Sequence, residues 1–147
     1  ADAVWIFRVG GALTTPADSQ MVFVDNIGSG ANVFWNIMGA ATIGAGTSSN
    51  SVGTIMASGA ITIGADATAN SLLSSGGAIT LGTAGTAEAL LAFGAISLSD
   101  GASALSLSSA AAVTLNAGAF EQCGSILPGD SDVTIQVVLE GIVPTIN

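Results

Sequence analysis

Five hydroxyl residues, Thr42, Thr62, Thr80, Ser97 and Thr114, recur along the 147-residue chain at spacings of 20, 18, 17 and 17. Each is the centre of a near-copy of Gly59-Ala-Ile-Thr-Ile-Gly64; the others begin at Gly39, Gly77, Gly94 and Ala111. Hydroxyls set among alanine, isoleucine and glycine can exchange hydrogen bonds, but nothing beside them could activate a nucleophile. The chain has no His and no Lys, so the usual general base and most nucleophile-activating arrangements are missing. Ten carboxylates remain, most of them single and at predicted turns. Asp130 and Asp132 form the close pair, which reads as a solvated turn ahead of a Ca²⁺ site. No G-G-x-G-x-D calcium repeat is present, and Gly44-Ala-Gly46 has neither the spacing nor the Lys of a phosphate loop. The expectation is a protein without catalysis, metal or cofactor.

Composition narrows the partners. Charged residues make up 7% and the net charge is −9, with Arg8 the one base. A chain so short of cations cannot neutralise a row of phosphates, which argues against nucleic acid and anionic membrane. Forty uncharged residues separate Asp25 from Asp66, yet Gly, Ser, Thr and Asn interrupt every apolar stretch. A spanning helix needs about 18 or more apolar residues, and a membrane barrel needs strands of about 9–11; neither is found, so no membrane insertion is expected. Cys123 is alone and makes no internal disulfide, which leaves it a buried small hydrophobe or an intermolecular link. A start at Ala1-Asp2 suggests a processed, secreted product, and the low charge and abundant Ala, Gly, Ser and Thr suit an extracellular or cell-surface protein.

The elements that would position the hydroxyls follow from the period. A unit of 17–20 residues carrying a short alternating strand is the signature of a β-solenoid. The expected fold is all-β: a right-handed β-solenoid of short coils with an extra C-terminal strand. In Ile61-Thr62-Ile63 the isoleucines should point inward and the threonine outward. Ala41/Ile43, Ile79/Leu81, Ile96/Leu98 and Val113/Leu115 repeat the pattern. A second short strand precedes each hydroxyl by about seven residues, with Ile55, Leu73, Leu90 and Leu107 facing in beside Trp35. Val4–Val9 and Val33–Met38 read as strands related by a shift of 28, and Met21–Val24 as one further strand. Turns are expected at Asp66–Asn70, Gly82–Gly85 and Asp100-Gly101. Thr86–Phe93 is the one stretch with a competing helical reading. Residues 1–128 form the expected solenoid. The pattern breaks over Gly124–Asp132, and 129–147 becomes a strand or tail, with Asp132–Glu140 a longer strand of a different kind.

The run Ala3-Val-Trp-Ile-Phe-Arg-Val-Gly-Gly-Ala-Leu-Thr-Thr15, then Asn32-Val-Phe-Trp-Asn-Ile-Met-Gly-Ala-Ala-Thr-Ile-Gly44, Ser51–Ala57 and Gly59–Asn70, resembles microbial ice-binding proteins over about Ala3 to Leu81. The resemblance implies a discontinuous β-solenoid with a long helix along one face. In that family the helix comes from a preceding region of about equal size, which is not among these residues. Beyond Leu81 this chain adds at least two coils and the Asp132–Glu140 strand.

Two surfaces follow. The outward set Ala60, Thr62, Ala78, Thr80, Ala95 and Ser97, with Thr42 and Thr114, is small-chained and should be flat. Such a face can order water as an ice lattice does, pack against another flat face, or simply reflect the fitness of Thr for an exposed strand. On the other sheet Met56, Leu72 and Leu91 are expected to point out as an uncovered apolar strip, which normally marks an interaction surface. Open coil ends expose unpaired strand edges. The strand carrying Val133, Ile135, Val137 and Leu139 could complete a neighbouring subunit. The leading expectation is a structural subunit that polymerises with itself into a filament through coil stacking and strand exchange. The alternative is an antifreeze protein whose partner is the ice crystal surface; a surface-adhesion module is third.

Overall fold

The computed structural model describes residues 3–116, 126–128 and 135–138. Side chains are described within 3–116, apart from those of residues 26, 70–72 and 74. Its strands are β1 (Trp5–Val9), β2 (Leu13–Thr14), β3 (Val33–Ile37), β4 (Ala41–Ile43), β5 (Asn50–Val52), β6 (Thr54–Ala57), β7 (Ile61–Ile63) and β8 (Thr68–Ser75). They continue through β9 (Ile79–Leu81), β10 (Thr86–Ala92), β11 (Ile96–Leu98), β12 (Ser103–Ser109), β13 (Val113–Asn116), β14 (Ile126–Pro128) and β15 (Ile135–Val138). All pair in parallel in two sheets. One runs β1-β3-β6-β8-β10-β12-β14, with β5 also on β8; the other runs β2-β4-β7-β9-β11-β13-β15. The chain alternates between the two sheets as it climbs, which makes it a β-solenoid.

Alternation along each short strand builds the core. Ile61 and Ile63 are fully buried, as are Ala41, Ile43, Ile79, Leu81 and Ile96, while the central hydroxyls stay on the outer face. From the opposite sheet Ile55, Leu73, Leu90 and Leu107 meet them, none more than 2% exposed. Burying each such side chain contributes about 1.5–3 kcal/mol. The expected shift of 28 between the first two strands is the observed register: Trp5 pairs Val33 and Val9 pairs Ile37.

The glycines bracketing each Ala-Ile-Thr-Ile unit have a packing cause. A Cβ on Gly77 would lie 3.0 Å from Ala60 N, and one on Gly94 2.8 Å from Ala78 N. The backbone of one coil therefore occupies the space a side chain would need on the next. Buried serines close the same corner. Ser75 Oγ–H donates to Gly59 O (2.8 Å) and Ser75 Oγ accepts from Gly77 N–H (3.0 Å). Ser109 does the same with Gly94 O and Ala111 N–H. At the opposite corner the chain turns through left-handed residues, Asp66 (φ 60°), Ala84 (φ 54°) and Gly101 (φ 68°).

Several expectations are corrected. Met21–Val24 is not a strand; Val24–Asn26 is a short 3-10 turn with Asp25 left-handed (φ 56°). The segment is held by a side chain instead of a ladder, because Met21 N–H donates to Asn50 Oδ1 (2.7 Å). The turn predicted over Asp66–Asn70 is shorter, since β8 begins at Thr68 and its first residues pair Asn50–Val52 on one side and Thr86–Ala87 on the other. Thr86–Phe93 has no helix: Thr86–Ala92 is β10, whose apolar residues meet neighbours on both flanks. The break over Gly124–Asp132 is not complete, because Ile126–Pro128 continues the first sheet beside Leu107–Ser109. The C-terminal strand is not of a different kind either. Ile135–Val138 pairs β13 of its own chain in the repeat's parallel register, Val113 to Ile135 and Thr114 to Gln136. While so paired it is occupied at home on that side.

Candidate functional site: a hydroxyl face and an open coil end

The register brings the repeat hydroxyls into one rank. Thr14 pairs Thr42, Thr42 pairs Thr62, Thr62 pairs Thr80, Thr80 pairs Ser97 and Ser97 pairs Thr114. Neighbours in a parallel sheet stand about 4.8 Å apart, so the rank is a regular row of hydroxyl and methyl groups. Each is at least partly solvent-accessible and is flanked by Ala60, Ala78 or Ala95, or their equivalents, on one side and by small residues such as Gly64 and Gly82 on the other. Sequence periodicity found the five central members. The shift of 28 between the first two units also sets Thr14 on Thr42, as the register has it, and what periodicity missed is Gln136, which holds the next position.

The second face differs from expectation. Met56 and Leu91 are exposed, 38% and 45%, but the register places Ser74 between them. Leu72 pairs Ala89 instead. By register the column reads Arg8, Asn36, Met56, Ser74, Leu91, Ser108, so Met56 and Leu91 are not adjacent in it. The side chain of Leu72 lies outside the described residues, as do Val133 and Leu139, Cys123, Asp130 and Asp132. Ile135 and Val137 are placed by backbone register alone.

The first coil carries the feature that sequence reasoning underweighted. Among the described residues strand β1 has β3 as its one neighbour, so its other edge is open. Its inward residues sit at the same register as fully buried ones further along, yet Trp5 is 38% and Phe7 44% exposed while Ile55 is 0%. Gly10 and Gly11 have nothing within 4 Å of a built Cβ, unlike their equivalents in later coils. A cavity of about 420 Å³ opens here, lined by Trp5, Phe7, Met21, Phe23, Trp35 and Val52 among others. Phe7 stacks on Trp35 at 4.4 Å between ring centroids, and Phe23 leans over Trp5 at 6.1 Å. Trp35 Nε1–H donates to Val52 O (2.8 Å), so the indole's one donor is satisfied, and the cavity wall is mostly apolar, with Gln20 its polar side chain. The signal available in the sequence was the aromatic content of β1 and of Met21–Phe23, which a solenoid coil in mid-stack does not need.

Among the described residues no helix is long and apolar enough to cross a membrane. Against known families, the model for Ice-binding-like proteins matches residues 1–87, more than half of the chain. No curated protein and no solved structure matches.

Proposed function

The chain belongs to the Ice-binding-like family, and from that premise and its open coil end we propose that it is a non-enzymatic, extracellular structural subunit that self-assembles end to end into a filament. Neither this family nor a β-solenoid is enzyme-like. The observation that carries the reading is the uncovered first coil: one-sided β1, with Trp5, Phe7, Ile6 and Val4 all exposed. A strand edge with unpaired N–H and C=O groups is a template for another strand, and apolar side chains beside it add burial to the pairing. At the other end β14 and β15 each have one described neighbour. A parallel stack has the same polarity at both ends, so one copy can follow another by translation and rotation without closing into a ring. The interrupted face around Met56 and Leu91 gives less support to side-by-side packing, and the home pairing of Ile135–Val138 favours stacking over exchange of that strand.

The test is negative-stain electron microscopy of the purified chain at neutral pH, with light scattering alongside. Long uniform fibres are expected; a monodisperse monomer would reject the reading.

The in-register hydroxyl rank supports a second reading, ice binding through the Thr42–Thr114 face. Flatness and a repeat of about 4.8 Å are the features that could order surface water.

A further inference from the structure

Resting on the assembly reading, we propose that the cavity around Trp5, Phe7 and Trp35 is a socket for the C-terminal coil of a second copy, in one defined register. In the first sheet the inward column runs Phe7, Trp35, Ile55, Leu73, Leu90, Leu107, and Ile126 holds the next register position. At every interior level of this column the neighbouring coil supplies an apolar side chain from a parallel strand. Beyond Phe7 that partner is missing among the described residues, and Phe7 is left 44% exposed at the rim of the cavity. The group that fits is therefore what the stack itself would supply next, a short parallel strand bearing an apolar residue. β14 of a second copy offers Ile126 at that position.

The second sheet fixes the same register independently. Its rank runs from Thr14 to Thr114, and Gln136 follows. Stacking Ile126 on Phe7 of the next copy sets Gln136 beside that copy's Thr14. Both ladders then continue together, which a preformed β1–β2 coil requires.

The test is a register-specific cross-link in the full chain. In a Cys123→Ser background, Thr14→Cys and Gln136→Cys stand about 29 Å apart within one molecule at about 4.8 Å per strand, too far for an internal disulfide. Mild oxidation of polymers should give a ladder of covalent multimers on a non-reducing gel. The control pair Thr14→Cys and Ser97→Cys should give none. Val22→Glu places a carboxylate at the cavity on a residue that is 70% exposed and outside both sheets. It should raise the concentration needed for polymerisation about tenfold or more with unchanged circular dichroism. Polymers that form normally, give no Thr14–Gln136 ladder and ignore Val22→Glu would overturn the socket while leaving assembly through another surface. Wild-type protein that stays monomeric would overturn both.

Discussion

A Cβ built on Gly82 would lie 2.7 Å from the backbone nitrogen of Ala65, one coil away. Gly82, which ends its repeat, thus packs directly against the backbone of the preceding coil, and its φ lies outside the left-handed region. The requirement is a close approach of two backbones, repeated at Gly94, where the obstacle is Ala78 N at 2.8 Å.

Gly82→Ala should therefore destabilise the protein by about 1–3 kcal/mol, the usual range for overpacking. Gly11→Ala, with nothing within 4 Å, should change stability by less than about 0.5 kcal/mol. Urea unfolding of both variants checks the pair; equal effects would remove the stacking explanation.

Ala84 holds a left-handed backbone (φ 54°) between turn positions occupied by Asp66 and Gly101. A non-glycine residue there costs about 1–2 kcal/mol. Ala84→Gly should raise stability by up to about 1 kcal/mol, part of the gain being lost to the greater freedom of glycine in the unfolded chain. A lower melting temperature would contradict it.

Ser75 and Ser51 are both buried, but their hydroxyls differ. Ser75 bridges Gly59 O and Gly77 N–H, whereas Ser51 Oγ has no hydrogen-bond partner among the described residues. Ser75→Ala should cost about 1–3 kcal/mol because two backbone groups lose their partner. Ser51→Ala should be neutral or stabilising, since it removes a buried polar atom that nothing satisfies. Thermal unfolding of the two variants distinguishes them.

Thr62 and Thr80 are register partners on the outer face. Under the ice reading, Thr62→Tyr with Thr80→Tyr should abolish ice shaping while leaving circular dichroism unchanged, because bulky rings break the flat row without entering the core. Ice crystals grown in the presence of each protein give the readout. Shaping that survives the double substitution rules this face out, and its absence in the wild type ends the ice reading.

The chain's own pattern was enough for the coil, the core and the hydroxyl rank. Those depend on local alternation: Ile61 and Ile63 in, Thr62 out, repeated with a period of 17 to 20. What one strand buries is decided by its own residue types, and translation along the stack copies the result. Tertiary structure alone decided which coils stand beside which residue. Ser74, two positions beyond Leu72, stands in the Met56–Leu91 column because Leu73 pairs Ile55 on one side and Leu90 on the other. Likewise Val4–Val9 reads as an ordinary apolar strand. Only the arrangement of coils left Phe7 and Trp5 without a covering neighbour, since exposure at the end of a stack is a property of position and not of residue type.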